Sequence, residues 1–180
     1  MRDLDQVIDE VFLREGREYS NRAADRGGPT KFGVTLRALE RYRRRPCTPD
    51  DVRNLTEAEA REVLRADYYI APGLYRIHDP YVAVLMFDCA INHGAPRAVR
   101  WLQKIVGVVD DGIMGDKTEI AVASYEPTKL YRKLCARRVR FYGEIIAHDP
   151  ELARAKKAGF NLQAENAFGW ANRAAEFVEG

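Results

Sequence analysis

The sequence lacks several features that would assign it to a particular class of protein. No apolar run approaches the ~20 residues of a transmembrane helix, so we expect no stable membrane association. The acidic start, MRDLDQVIDE, is unlike a secretory signal, which predicts synthesis without a Sec-type leader. Three widely spaced cysteines, Cys47, Cys89 and Cys135, match neither a disulfide framework nor a zinc site, so we interpret them as reduced thiols.

An excess of charge of one sign is also absent. Lysine and arginine number 29 and the acids 27, so the net charge of +2 does not indicate a nucleic-acid partner. The clusters RYRRR at 41–45 and ARRVR at 136–140 are typical of solvated helix faces, and attraction to an anionic cell-wall polymer is the alternative. His78, His93 and His148 share no metal-binding spacing, so we predict no metal and no cofactor.

Helical periodicity runs through most of the chain. Leu4, Val7, Ile8, Val11 and Phe12 predict a helix over 3–15 that ends at Gly16. Thr56 and Glu59 form a capping box that predicts a helix over EAEAREVLRADYY, and prolines at the first helical position predict helices from Pro49 and from Pro80 to Gly94. The remaining helices are expected over LRALERYRRR, AVRWLQKIVG, 117–124, 128–147 and 162–178. Only a short hairpin through KFGVT is expected as strand, so the fold class is all-α or nearly so.

The chemistry of interest lies between Arg14 and Thr35. A helix carboxyl end and the apolar neighbours Phe12 and Leu13 would disfavour the ionised form of Glu15, as a general acid requires. Asp25, in a polar loop, would stay ionised, and Thr30 offers a hydroxyl that could hold a water molecule. The pattern therefore fits glycoside hydrolysis. A solvated surface glutamate beside an ordinary loop is the alternative.

Three motifs, in the same order, carry a family resemblance. EGREYSNRAADRGGPTKFGVT resembles the EGGY and DPGGATxFGIT signature of glycoside hydrolase family 108, DDVRNLTEAEAREVLRADYY resembles VxxLTxxEAxxIYxxxYW, and FDCAINHGAPRAVRWLQ resembles FDxAVNxGxxRAxxxLQ. VDDGIMGDKTEIAV is similar to a peptidoglycan-binding-type turn. This chain reads EGREY for EGGY and has Tyr69 where a tryptophan is common.

The resemblance implies a lysozyme-like fold, a compact helical bundle with minimal strand content and a catalytic cleft. It implies an N-acetylmuramidase that cuts the β-1,4 bond between N-acetylmuramic acid and N-acetylglucosamine, with Glu15, Asp25 and Thr30 as catalytic residues. It also suggests a catalytic lobe at 1–94 and a helical peptidoglycan-binding-type lobe at 95–180, packed as one unit. Inversion would require a carboxyl separation of about 6.5–9.5 Å between Glu15 and Asp25.

Other residues are candidates for binding the sugar. Asp88 and Asn92 lie four apart on one helix face and could reach a sugar hydroxyl, or could instead be buried and fix the helix to its neighbours. Tyr19 could form a wall of the sugar site or fill the core, and Tyr69 is a further substrate-binding candidate. Trp101 and Trp170 are expected in the core. The loop DDGIMG is either a lobe junction that contacts the wall or a tight turn.

The expected partner is peptidoglycan, and we expect a monomer. By analogy with phage endolysins, the enzyme would be made in the host cytoplasm and reach periplasmic peptidoglycan after holin-type release. The alternatives are a non-catalytic wall-binding or secretion-linked protein with the same fold, or a lytic transglycosylase, which needs only the glutamate.

Overall fold

The computed structural model of the protein describes residues 3–21 and 28–147. The helices there are α1 (Leu4–Glu15), α2 (Leu36–Arg43), α3 (Pro49–Arg53), α4 (Glu57–Arg65), α5 (Pro80–His93), α6 (Ala95–Val106), α7 (Asp116–Ala123) and α8 (Pro127–Ala147). A π-helical turn (Ala66–Ile70) and a 3-10 turn (Leu74–Arg76) follow α4. Strands β1 (Thr30–Lys31) and β2 (Val34–Thr35) pair antiparallel, with Thr30 opposite Thr35. The expectation of a mostly helical, lysozyme-like fold is confirmed.

Local capping explains where the helices begin. Asp3 accepts a hydrogen bond from the Gln6 N–H, and Asp79 accepts one from the Val82 N–H at the start of α5. At α4 the predicted capping box is only half formed, because Thr56 accepts from the Glu59 N–H while the Glu59 carboxylate pairs with Arg43. The Glu59 side chain would complete the capping box by accepting from the Thr56 N–H, but it forms an ion pair with Arg43 instead.

Helix α5 is the central element of the core. Every residue from 82 to 90 is buried, and α5 packs against α1, α6 and α8. The same apolar cluster includes Phe12 from α1, Trp101 from α6 and Leu134 from α8, so both halves of the chain contribute to one core. The prediction that Trp101 lies in the core is confirmed, since it is 4% exposed. Trp170 and the predicted helix over 162–178 lie outside the described residues.

The two arginine clusters differ in their surroundings. In RYRRR, Arg41 pairs with Asp67, and Arg43 pairs with Asp51, so this cluster is a surface ion-pair network. In ARRVR the prediction of a solvated face is wrong for Arg138, which is fully buried at 0% exposure. The reason is its register on α8: Leu130 and Leu134, also buried, precede it at intervals of four residues.

The loop between α6 and α7 is organised by one buried glutamine. Gln103 donates through Nε2 to Asp111 Oδ1 (2.7 Å) and Thr118 Oγ1 (3.1 Å), and its Oε1 accepts from the Gly112 N–H (2.8 Å). These bonds fix DDGIMG as a tight turn between helices. No helix among the described residues combines the length and apolar character that crossing a membrane requires. The three cysteines are free thiols, and burial raises the pKa of Cys89 to about 12.

Candidate active site

Glu15 is the last residue of α1, as the sequence predicts. The helix ends because Gly16 adopts φ 82° and ψ 160°, a conformation that favours glycine, while its N–H still donates to the Phe12 carbonyl at 3.1 Å. Glu15 therefore faces the negative end of the helix dipole and the unpaired carbonyls of the last turn.

The expected desolvation of Glu15 by its apolar neighbours is wrong in the described structure. Phe12 points into the core, whereas Leu13 is 77% exposed, and Glu15 itself is exposed. Neighbouring helix positions diverge by about 100° and positions two apart by about 200°, so Leu13 cannot shield Glu15. The carboxyl group is instead accessible from solvent, which a polymer substrate requires.

The β-hairpin packs directly on the last turn of α1. At its tip Gly33 has φ 73°, and a Cβ added there would lie 2.9 Å from Val11 Cγ1 and 3.3 Å from Glu15 Cγ. The ring of Phe32 packs against that of Phe12 at a tilt of 54°, with ring centroids 5.1 Å apart. The glycine therefore permits a close approach that supports the aliphatic stem of Glu15 and leaves its carboxyl group exposed.

Thr30 stands at the base of the glycine loop. Its N–H and carbonyl pair with the carbonyl and N–H of Ser20, both at 2.8 Å, which closes the loop between them. The Thr30 hydroxyl is half-buried and donates to the Gly28 carbonyl at 3.1 Å. Asp25, the second predicted carboxylate, belongs to the sequence between Ser20 and Thr30 and lies outside the described residues.

The hairpin is also attached to α3. Lys31 Nζ donates to the carbonyls of Arg53 (2.8 Å) and Leu55 (2.9 Å), at the carboxyl end of that helix. The Arg53 guanidinium lies 4.6 Å from the centroid of the Tyr19 ring. Tyr19 is half-buried against the core, and its buried hydroxyl meets no hydrogen-bond partner among the described residues. These contacts hold the half-buried Tyr19 between the core and the loop.

Tyr69 also lies against the core. It is half-buried in the π-helical turn after α4, and its ring meets Phe87 of α5 edge to face, with centroids 5.8 Å apart. Burial raises the pKa of Tyr69 above its ordinary value. The residue is half-buried, not fully buried, so a contact with substrate is compatible with this position.

Asp88 is not an open cleft residue. It is 1% exposed, and its Oδ2 lies 2.5 Å from Nη1 of Arg138, in an ion pair that is not aligned as a hydrogen bond. The interpretation of Asp88 as a direct sugar ligand is therefore corrected: it fixes α5 to α8. Asn92 donates through Nδ2 to the carbonyl (2.8 Å) and Oδ1 (3.1 Å) of Asp88, which leaves Asn92 Oδ1 as the atom that can accept from a ligand.

Sequence reasoning missed Arg138. Besides Asp88 it contacts Tyr142, whose hydroxyl accepts from Arg138 Nε at 2.9 Å. Burial favours its neutral form, but Cys89 and the Asp88 carboxylate outweigh this effect and raise the pKa of Arg138 above its ordinary value. The four-residue spacing from Leu134 was the signal that could have found it.

A separate groove of about 870 Å³ lies between the start of α5 and α8. Its lining includes Tyr81, Tyr131, Arg132 and Val139, and none of the lining residues within the described part of the chain comes from α1 or the hairpin. It is therefore distinct from the surroundings of Glu15.

Comparisons with known proteins are consistent with this geometry. Residues 8–94 match the family described as Glycosyl hydrolase 108, and residues 97–175 match the family described as Predicted Peptidoglycan domain. The solved structure of Brucella abortus SagA resembles this chain with a TM-score of 0.70 and 27% identity, over 98% of this chain and 96% of that one. An 84-residue stretch is 42% identical to chloroplastic phosphoglycerate kinase of Volvox carteri. This stretch spans 47% of this chain but only 17% of the kinase, so the similarity does not indicate kinase activity in this chain.

Proposed function

The chain belongs to glycosyl hydrolase family 108 and is a peptidoglycan-degrading glycoside hydrolase, and from this premise we propose that it is an N-acetylmuramidase. The bond cut is the β-1,4 linkage between N-acetylmuramic acid and N-acetylglucosamine. The observation that carries the proposal is the position of Glu15. It ends α1 within the matched segment, its stem is supported by Gly33, and its carboxyl group is exposed to an incoming polymer.

Glu15 is the general acid in this mechanism. It donates its proton to the glycosidic oxygen as the bond from that oxygen to the anomeric carbon breaks. A glycan strand lying over the exposed carboxyl group would exclude water from this step. The sugar leaves as a neutral alcohol.

Asp25 and Thr30 activate and orient the attacking water. Asp25 accepts one proton from the water as its oxygen bonds to the anomeric carbon on the face opposite the leaving group, which inverts the configuration. Thr30 Oγ1, anchored on the Gly28 carbonyl, has lone pairs that accept a hydrogen bond from this water. The bridge between Ser20 and Thr30 supports the role, because it pairs Thr30 with a residue only five positions after Glu15, the last residue of α1.

Substrate contacts come from the residues around this centre. Asn92 Oδ1 accepts a hydrogen bond from an N-acetyl N–H or a hydroxyl, because Nδ2 is engaged by Asp88. The half-buried rings of Tyr69 and Tyr19 form an apolar wall for a sugar ring. The departure at EGREY leaves the helix end intact, since Gly16 alone provides the cap, while Arg17 pairs with Glu57 of α4.

The biological setting is that of a phage or prophage endolysin. The enzyme acts as a monomer on periplasmic peptidoglycan after holin-type release from the host cytoplasm. The segment 1–94 performs the hydrolysis, and the segment 95–180 binds the peptidoglycan of the cell wall.

Product analysis tests the chemistry. Purified protein is incubated with insoluble peptidoglycan, and the soluble fragments are reduced with borohydride and weighed by mass spectrometry. A muramidase yields fragments with reducible muramic acid ends. Reducible glucosamine ends would assign the cut to the other glycosidic bond, anhydro-muramic ends would identify a transglycosylase, and either result overturns the proposal.

A further inference from the structure

The Asp88 carboxylate is contacted by side chains from three helices. Its Oδ2 meets Arg138 Nη1 of α8 at 2.5 Å, and its Oδ1 meets Asn92 Nδ2 of α5 at 3.1 Å. Nη2 of Arg14, in the last turn of α1, lies 3.8 Å from the same Oδ1. We call these four residues, Arg14, Asp88, Asn92 and Arg138, the carboxylate hub.

The hub joins the two family segments. Arg14, Asp88 and Asn92 lie in the glycosyl hydrolase segment, 8–94, and Arg138 lies in the peptidoglycan segment, 97–175. Asp88 and Arg138 are 1% and 0% exposed, so water cannot replace either partner. A buried charge that loses its partner is strongly unfavourable, which makes the ion pair a constraint on where α8 sits relative to α5.

The hub also constrains the end of α1. Arg14 immediately precedes Glu15, and its guanidinium lies within ion-pair distance of the buried Asp88 carboxylate. On the other side, Gly33 of the hairpin packs on the Glu15 stem. The last turn of α1 is therefore held between the hairpin and a carboxylate whose own position depends on Arg138.

We propose that Arg138, in the peptidoglycan segment, is a positioning residue for glycoside hydrolysis: through Asp88 it fixes Arg14 and Asn92, and so the geometry of Glu15. This inference rests on the proposed role of Glu15 as the general acid. It means that the glycosyl hydrolase segment does not form a competent active site without the segment that follows it. The second segment then has a part in the chemistry beyond any contact with the wall.

The test compares Arg138→Met and Arg138→Lys with Arg140→Met, an exposed arginine on the same helix. We expect Arg138→Met to lower kcat on soluble glycan fragments about tenfold or more while KM changes little, because misplacement of a catalytic group affects the transition state. Arg138→Lys should restore part of kcat, and Arg140→Met should behave like the parent. A folded Arg138→Met with the parent's kcat would overturn the inference.

A second variant keeps the test decisive if Arg138→Met does not fold. The double variant Asp88→Leu/Arg138→Met replaces the ion pair with apolar side chains, a change that buried pairs often tolerate. It should fold, as judged by near-UV circular dichroism, and still show the low kcat because Arg14 has lost its anchor. Parent-like kcat in this folded variant would refute the positioning role.

A double-mutant cycle separates positioning from general stability. Arg14→Met and Arg138→Met should lower kcat by amounts that are not additive, since both act through Asp88. Additive losses would contradict the hub. If Glu15→Gln keeps its activity, the proposed function itself fails; if Glu15→Gln is inactive and Arg138→Met is not impaired, only this inference fails.

Discussion

Replacing Gly33 with alanine tests how the hairpin supports Glu15. The residue has φ 73°, and its new Cβ would lie 2.9 Å from Val11 Cγ1 and 3.3 Å from Glu15 Cγ. Val11 is 3% exposed and cannot retreat freely, whereas the exposed Glu15 side chain can. The substitution should therefore push the hairpin away from α1 and shift Glu15 by a fraction of an ångström.

Two costs add in this variant. The left-handed conformation costs a residue with a Cβ about 1–2 kcal/mol, and overpacking adds about 1–3 kcal/mol. The matched control is Gly107→Ala at the end of α6, where φ is 81° but a Cβ would meet nothing within 4 Å. Gly107→Ala should lose only the first amount, so the difference between the two variants isolates the close contact.

Thermal unfolding and glycan hydrolysis are the two assays. Gly33→Ala should lower Tm by about 4–20 °C, at about 2–4 °C per kcal/mol for a chain of this size. Its kcat/KM should fall about tenfold, because even small misplacements of a catalytic group are costly. Gly107→Ala should keep the parent's kcat/KM. Equal stability losses in both variants, or unimpaired hydrolysis by Gly33→Ala, would refute the argument from hairpin packing.

Three further substitutions test other parts of the account. Gln103→Leu leaves the Gly112 N–H and the other partners of Gln103 without their hydrogen bonds. The free energy of unfolding, measured in urea, should fall by about 2–4 kcal/mol, and a loss below about 1 kcal/mol would contradict this. Hydrogen bonds from Thr48 lower the pKa of Asp51, so its contribution to stability is present above about pH 4 and is lost as pH falls below that value. Asp51→Asn should therefore flatten the acid branch of the stability curve, and an unchanged branch would contradict the assignment. Thr30→Val should lower kcat while Thr30→Ser retains it, and equal kcat values would remove the hydroxyl from the mechanism.

Helix ends could be predicted from the sequence because their causes are local. Gly16 ends α1 and Asp79 caps α5, and both effects act within one helical turn. The position of Glu15 follows from the first of these. The exposure of Glu15 could not be predicted in this way, because whether Leu13 covers Glu15 depends on which face of α1 packs against the core.

Long-range partners could not be predicted from local patterns. Asp88 and Arg138 are 50 positions apart in the sequence, and nothing near either residue indicates the other. A charged residue in a polar cluster is ordinarily solvated, so ARRVR suggested a surface face. The half-formed cap at Thr56 has the same origin, since Glu59 bonds to Arg43 from another helix.

The most direct test of the central claim is the hydrolytic rate of Glu15→Gln, with Glu18→Gln as its matched control. Both glutamates are exposed and lie three positions apart, but only Glu15 ends the helix against the hairpin. New reducing ends released from purified peptidoglycan give the rate. The account predicts that Glu15→Gln lowers kcat by about 10²–10⁴-fold while remaining folded, and that Glu18→Gln matches the parent. Parent-like hydrolysis by folded Glu15→Gln would contradict the assignment of Glu15 as the acid.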